Sequence, residues 1–113
     1  MSVDRLAKVN REIVRVFGRV VREEAALSPD VMVTIIDAQA SRNLRAVKVG
    51  VSVYPLEEAD EVMSQLQDQI YDLQGAFNRK ISFHPCPRIR LELDKGSAHA
   101  EHIERKLSEL DRG

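Results

Sequence analysis

The sequence contains few of the residues that build disulfides, base-stacking surfaces and flexible tracts. Its 113 residues include one cysteine, five glycines, four prolines, three phenylalanines, two tyrosines and no tryptophan. The single cysteine, Cys86, excludes an intrachain disulfide framework and a multi-cysteine zinc site, and it fits a reducing cytoplasm best. Scarce Gly and Pro beside plentiful apolar and charged residues indicate one ordinary folded domain.

Long apolar runs and a strong net charge are also missing. No apolar stretch approaches the roughly 20 residues that span a bilayer, and the N-terminus alternates charged and apolar residues, so we expect a cytoplasmic protein that neither enters a membrane nor is secreted. The formal net charge is only −1. Because no overall field attracts polyanions, binding to nucleic acid would have to depend on local clusters.

The first half of the chain predicts one helix and two strands. Apolar residues at steps of three and four from Val3 to about Ala26 predict a long helix, which the Ser28-Pro29-Asp30 sequence ends. Residues 31–36 and 47–53 are rich in β-branched side chains and predict two strands. The polar residues 37–45 between them predict a long connection in an antiparallel pair.

The second half predicts a bent helix, a third strand and a last helix. Pro55 and the acidic residues after it predict a helix start, and the apolar stripe runs past Gly75 to Ile81, which predicts a kinked or broken helix closed by the prolines of residues 85–87. Residues 88–93 alternate polar and apolar, as a strand does. After a turn over residues 94–96, Ser97 is a good N-cap for a short helix whose apolar stripe is Ile103, Leu107 and Leu110.

This order predicts an α+β fold with a three-stranded sheet and helices packed on one face. Helix, strand, strand, kinked helix, strand, helix is the order of a type II K-homology domain. We expect residues 1–96 to form that domain and residues 97–113 to form a helix that belongs to it or is appended to it.

A stripe of basic residues lies opposite the apolar face of the first helix. It consists of Arg5, Lys8, Arg11, Arg15, Arg19 and Arg22. Cations in a row along a helix can follow a phosphate backbone and release its counterions, which is a main source of nucleic-acid affinity. The alternative is an ordinary solvated face, in which Glu12 and Glu23 pair with the arginines inside the helix.

Two further groups of polar and basic residues are candidates for RNA contact. One group comprises Asn78, Arg79 and Lys80 at the end of the broken helix with Arg88 and Arg90 on the third strand, and the other comprises Arg42, Arg45 and Lys48. Phe17, Phe77 and Phe83 follow the apolar pattern and are expected in the core, which leaves only Tyr54 and Tyr71 as weak stacking candidates. Recognition of structured RNA by shape and phosphate contacts is therefore favoured over base-specific reading.

Constellations for catalysis or metal binding are weak. His99 and His102 are three residues apart but lack a third ligand, and His84 near Cys86 lacks an orienting group for a nucleophile. The glycines are scattered singly, so no phosphate-binding loop is present. We therefore expect a protein that is not an enzyme and needs no cofactor, metal or small-molecule substrate.

Several short motifs together resemble the bacterial ribosome-binding factor A family over nearly the full chain. They are residues 5–9 with Ile13 in the first helix, residues 33–35, the turn at residues 41–44, residues 49–53, and residues 87–91 followed by Asp94. One departure concerns the Ala-x-Gly helix kink of that family, which an ungapped alignment places on residues 69–71, Gln-Ile-Tyr. Gly75 is then the residue expected to supply the bend.

The resemblance implies a type II K-homology fold without the Gly-x-x-Gly loop. It also implies a monomer that binds the 16S ribosomal RNA of the small (30S) subunit and its precursors during late assembly and 16S processing, and that leaves before translation. The thirteen residues expected to contact RNA are Lys8, Arg11, Arg15, Arg19, Arg22, Arg42, Arg45, Gly75, Asn78, Arg79, Lys80, Arg88 and Arg90. The alternative function is a protein-interaction module of the same fold, in which a strand edge and the acidic helix start from Glu57 to Glu61 bind a protein and the arginines only keep the protein soluble.

Overall fold

The fold is given by a computed structural model that describes residues 3–94. In chain order its elements are α1 (Val3–Glu24), β1 (Met32–Ala40), β2 (Ala46–Tyr54), a 3-10 turn (Leu56–Glu58), α2 (Ala59–Asp68), α3 (Ile70–Lys80) and β3 (Arg88–Leu93). The predicted α+β order is confirmed up to the third strand. The C-terminal helix predicted for residues 97–113 and the pair His99 and His102 lie outside the described residues.

The three strands form one sheet in the order β1-β2-β3. β2 pairs antiparallel with β1 and parallel with β3. The second pair is parallel because the helices between β2 and β3 return the chain to the end of the sheet where β2 begins. Every second residue of β2 is a buried valine, from Val47 to Val53, so one face of the sheet is apolar. The helices cover that face, and the other face is open to solvent.

The core lies between the helices and the apolar face of the sheet. From α1 it takes Ile13, Val16, Phe17, Val20 and Val21, all buried. Phe17 meets Phe77 of α3 edge to face, with ring centroids 6.1 Å apart, and such a pair adds about 1 kcal/mol beyond its buried area. The expectation that Phe17 and Phe77 are core residues is confirmed, and Phe83 packs partly buried against the same cluster.

The first strand is longer than the sequence predicted, and the connection after it is shorter. β1 runs to Ala40, with a bulge between Ile35 and Asp37 that shifts the alternation by one residue. Small Ala38 keeps its place in the core beyond the bulge, but alanine gives little strand signal. The predicted long connection over residues 37–45 is therefore wrong, because only a tight turn remains, closed by the bond from Ser41 N–H to the Ala46 carbonyl at 2.8 Å.

The helix break occurs at Gln69 rather than at Gly75. Gln69 leaves the helical conformation (φ −96°, ψ 4°), and its side-chain amide accepts from Ala26 N–H at 2.7 Å and donates to the Ala26 carbonyl at 2.9 Å. This reciprocal pair fixes the helix junction against the segment that follows α1. Gly75 lies within the continuous α3, so the expectation that it supplies the bend is wrong.

Both ends of the helix pair also differ from the expectation. Pro55 precedes a 3-10 turn, so the α-helix proper begins four residues later at Ala59. α3 ends at Lys80 because Ile81 takes an extended conformation and is buried in the core. The prolines of residues 85–87 thus follow the helix end and do not cause it.

Candidate nucleic-acid interface

The basic stripe of α1 is fully on the surface. The helix buries one face against β1 and α3, which leaves the opposite face to solvent. All six of its basic residues, Arg5, Lys8, Arg11, Arg15, Arg19 and Arg22, are exposed. The 22 residues of α1 span about 33 Å at 1.5 Å per residue. The stripe is therefore long enough to run beside several phosphates.

Two arginines of the stripe are paired with glutamates of the same helix. Arg15 donates two hydrogen bonds to Glu12, and Arg19 Nε lies 2.8 Å from Glu23 Oε1. Among residues 3–94, no carboxylate lies within 4 Å of the amine of Lys8 or the guanidinium of Arg11. Exposed pairs of this kind stabilise a protein by only about 0.2–1 kcal/mol, so a phosphate can replace the glutamate at small cost.

Glu23 connects the stripe to the end of α3. Its carboxylate accepts from Arg19 and lies 3.9 Å from Lys80 Nζ. The hydrogen bond from Arg19 lowers the pKa of Glu23, and the charges of Arg19, Lys80 and Arg22 lower it further. Three cations therefore surround one carboxylate, which leaves a local excess of positive charge where α1 and α3 meet.

The second basic group lies at one end of the sheet, on its open face. Arg45 and Arg88 are brought together by the bond from Arg88 N–H to the Arg45 carbonyl at 2.9 Å, and Lys48 pairs in register with Arg90. Arg42 lies exposed in the adjoining turn. These five residues share one end of the sheet, although Glu92 offsets part of the charge through Lys48 at 3.5 Å.

A groove of about 800 Å³ runs along α3 beside the start of β3. Its lining includes Tyr71, Gly75, Asn78, Arg79 and Arg88, so it brings together four of the predicted site residues and one of the weak aromatic candidates. The wall also contains carboxylates, from Glu24 and Asp72, and is therefore of mixed charge.

Gln74 fixes the geometry of this groove. Its amide oxygen accepts from Ile89 N–H at 2.8 Å, and its amide nitrogen donates to the Pro87 carbonyl at 3.0 Å and to Asn78 Oδ1 at 2.9 Å. The side chain thereby ties α3 to the outer edge of β3. The sequence gives no signal for this role or for that of Gln69, because each depends on a backbone segment that only the fold brings near.

Tyr71 projects from the wall of the groove with 87% of its surface exposed. The sequence indicates this exposure, because Tyr71 lies out of phase with the buried stripe of Leu66, Leu73 and Phe77. Gly75, one turn along the same helix face, leaves room beside it, because a Cβ there would touch only Arg79 Nη1 at 3.5 Å. The groove thus offers an aromatic ring and an open floor beside two arginines.

The predicted site residues therefore form two groups and not one continuous patch. The stripe of α1 with Lys80 lies on the helix side of the sheet, whereas Arg42, Arg45, Lys48 and Arg90 lie on the side of the open face. Arg88 belongs to the sheet end and also lines the groove.

The described residues contain no recognisable catalytic or metal centre. Cys86 Sγ lies 3.5 Å from His84 Nδ1, but no acid completes a triad with them. Within residues 3–94 there is no group of three His, Cys, Asp or Glu side chains able to hold a metal ion, and no helix long and apolar enough to cross a bilayer.

Comparison with known proteins identifies the family. The family model described as ribosome-binding factor A matches residues 5–107, which is most of the sequence. The chain belongs to the ribosome-binding factor A family. The resemblance carried by the short motifs is thus confirmed.

Relatives and solved structures agree with this assignment. The chain is 27% identical over 108 residues to ribosome-binding factor A of Bdellovibrio bacteriovorus, covering 95% of this chain and 81% of that one. It is 26% identical over 113 residues to that of Clostridium novyi, covering 97% and 93%. The solution structure of a ribosome-binding factor A homologue of Thermotoga maritima superposes with a TM-score of 0.69 at 23% identity, covering 86% of this chain and 93% of that one.

Two structures of the Thermus thermophilus factor share the fold. Its crystal structure superposes with a TM-score of 0.67 at 18% identity, covering 81% of this chain and 98% of that one. A homology model of the T. thermophilus factor, fitted into a cryo-EM map of a 30S complex, superposes with a TM-score of 0.59 at 18% identity, covering 74% and 88%. The family fold is K-homology-like, which agrees with the α+β architecture described above.

Proposed function

We propose that this protein binds the 30S ribosomal subunit through 16S ribosomal RNA and assists late assembly and 16S processing without catalysing a reaction. Membership of the ribosome-binding factor A family supports the partner, as does the fitting of the T. thermophilus relative into a 30S complex. The main support from this chain is that Arg19 of the α1 stripe and Lys80 of α3 both contact the carboxylate of Glu23. Cations are therefore concentrated at one place on a molecule whose net charge is nearly neutral.

The α1 stripe is the main phosphate-binding surface in this proposal. Lys8 and Arg11 contact phosphates directly, while Arg15 and Arg19 exchange their glutamate partners for phosphates. The groove beside α3 and the basic end of the sheet provide further contacts through Asn78, Arg79, Arg88 and Arg90 in that complex. No step in this function requires a metal, a cofactor or a nucleophile.

Charge reversal on the stripe tests the proposal. The variant R11E/R15E is expected to lose cosedimentation with purified 30S subunits, because two attractive contacts become repulsive. The matched variant R11K/R15K keeps the charge, so it is expected to keep most of the binding that comes from phosphate neutralisation. Circular dichroism is the control that checks whether both variants fold. Equal binding of R11E/R15E and the native protein would contradict the role of the stripe.

The RNA partner and the timing need separate measurements. Ultraviolet crosslinking to 30S precursors, followed by mapping of the linked nucleotides, is expected to place the contacts on 16S ribosomal RNA, and ribonuclease treatment is expected to release the protein. A stoichiometric protein partner that survives ribonuclease, with no RNA crosslink, would instead support the protein-interaction module. Depletion of the protein in cells is expected to raise unprocessed 16S ribosomal RNA.

A further inference from the structure

One end of the sheet combines exposed apolar side chains with several acids. Met32 and Tyr54 are partners across β1 and β2 on the open face, with 66% and 73% of their surfaces exposed, and Leu56 follows Tyr54 with 57% exposed. Partners in an antiparallel pair have adjacent side chains. Met32 and Tyr54 therefore lie side by side, and together with Leu56, two residues further along the chain, they are named the apolar ridge. The ridge lies at the opposite end of the sheet from Arg45 and Arg88.

A small groove lies beside this ridge. It has a volume of about 270 Å³, and its lining includes the carboxylates Asp30, Glu58 and Glu61 and the apolar residues Val31, Pro55 and Val62. Val31 adjoins Met32, and Pro55 lies between Tyr54 and Leu56. The ridge and the groove therefore lie at the same end of the sheet, the ridge being apolar and the groove being lined in part by acids.

The acids at this end of the molecule form no ion pair in the described part of the chain. Residues 23–41 and 49–78 contain no lysine or arginine, and the second of these segments carries six carboxylates. Within residues 3–94, no salt bridge involves Asp30, Glu57, Glu58, Asp60 or Glu61. Among residues 3–94 these carboxylates therefore lack an ion-pair partner, and their negative charge projects over about one Debye length, roughly 8 Å at physiological salt.

This charge decides which kind of partner fits. A phosphate backbone is repelled by the carboxylates of the groove, so RNA is not the partner expected beside the apolar ridge. A protein segment with lysine or arginine beside apolar residues satisfies both features, since its cations enter the acidic groove and its apolar side chains cover the ridge. We propose that the ridge and its acidic groove bind a basic protein segment, at a second surface distinct from the RNA-binding one.

Site-specific photocrosslinking tests this proposal. The full chain carries benzoylphenylalanine in place of Tyr54, or in place of Tyr71 as a matched exposed tyrosine outside the patch. Each form is irradiated with intact 30S subunits and, separately, with RNA-free proteins extracted from those subunits. Position 54 is expected to crosslink in both mixtures to a protein segment that contains lysine or arginine, and position 71 to give less protein crosslink.

Charge neutralisation supplies the second readout. In the variant E58Q/E61Q the yield of the crosslink at position 54 is expected to fall about fivefold, the factor expected for the loss of two exposed ion pairs. The control D37N/D68N removes two exposed acids that line neither this groove nor the groove beside α3, and it is expected to leave the yield unchanged. Neither double variant changes a buried side chain, so both are expected to fold.

Several results would overturn the proposal. They are a crosslink from position 54 to RNA, to residues 95–113 of the same chain or to a second copy, no protein crosslink in either mixture, and a protein crosslink that E58Q/E61Q leaves unchanged. The RNA-free mixture keeps this test separate from the proposed function. A protein crosslink in the RNA-free mixture supports the proposal even if the protein does not bind intact subunits. The absence of a protein crosslink at position 54 contradicts it even if the protein binds subunits through RNA.

Discussion

The pairing pattern on α1 predicts that two double substitutions of equal charge have unequal effects on RNA binding. K8Q/R11Q removes two cations that have no carboxylate within 4 Å among residues 3–94, whereas R15Q/R19Q removes two that are paired with Glu12 and Glu23. Glutamine has nearly the helix propensity of lysine and arginine, so both variants are expected to keep α1 intact. Each double variant lowers the net charge by the same amount. A difference between their effects on RNA binding therefore reports whether the removed cations were paired with glutamates.

The expected magnitude follows from counterion release. Each phosphate contact contributes about 0.7 to 0.9 to the slope of log K against log salt, so K8Q/R11Q is expected to reduce the slope by about 1.4 to 1.8. Over the fourfold range from roughly 50 to 200 mM salt, the affinity advantage of the native protein then shrinks by about ninefold. Arg15 and Arg19 are already partly neutralised, so R15Q/R19Q is expected to change the slope by less than about 1.

The assay is equilibrium binding of fluorescently labelled protein to 30S subunits at four or more salt concentrations. Thermal unfolding of each variant is the control for folding. Equal slope changes for the two variants would show that the glutamate pairs do not persist in solution or do not matter. A larger change for R15Q/R19Q would refute the argument from pairing, and no change for either would remove the stripe from the interface.

Three further substitutions test single features of the site. E23Q removes the carboxylate at the junction of α1 and α3, so affinity for 30S subunits is expected to rise, and in the native protein an NMR titration is expected to give a pKa for Glu23 below its ordinary value. Because that pKa is lowered on folding, the stabilisation from Glu23 is present above its unfolded pKa and is lost as the pH falls through the folded one. Q74A leaves the Ile89 N–H without its partner and is expected to lower the free energy of unfolding by about 1–3 kcal/mol in a urea titration, whereas Q67A on the exposed wall of the same groove is expected to change little. G75A is expected to stabilise α3 by about 0.5–1 kcal/mol, since its Cβ meets only Arg79, and a marked destabilisation would restore Gly75 as a bend.

The parts of the fold that the sequence predicted are those set by local periodicity. The valines of β2 and the apolar stripe of α1 repeat without interruption, so their elements and buried faces agree with expectation. The end of β1 was missed because a bulge changes the phase of alternation at Asp37 and small alanines follow it. Periodicity is informative where the backbone is regular and fails where one inserted residue shifts the phase.

The candidate site was predictable in its charges but not in its arrangement. The cations of α1 were expected on one face of a helix, and they are exposed there, because helical spacing alone decides that. The sequence contains nothing that places Lys80 beside Glu23 or Arg88 beside Arg45, since those contacts join residues far apart in the chain. Without the strand order, the sequence also could not show that the two basic groups lie on opposite sides of the sheet.

The position of the helix break is predicted better by alignment with the family than by the helix propensity of a single residue. Glycine was expected to mark the bend because it is the weakest helix former after proline, and Gly75 was the glycine available. The chain instead breaks at Gln69, where the ungapped alignment placed the kink of the family, and it does so with a side chain that holds both backbone groups of Ala26. A break held by a tertiary contact does not need a residue of low helix propensity. Q69A is therefore expected to loosen the junction, with faster hydrogen exchange at Ala26 and at the start of α3, while G75A leaves that exchange unchanged.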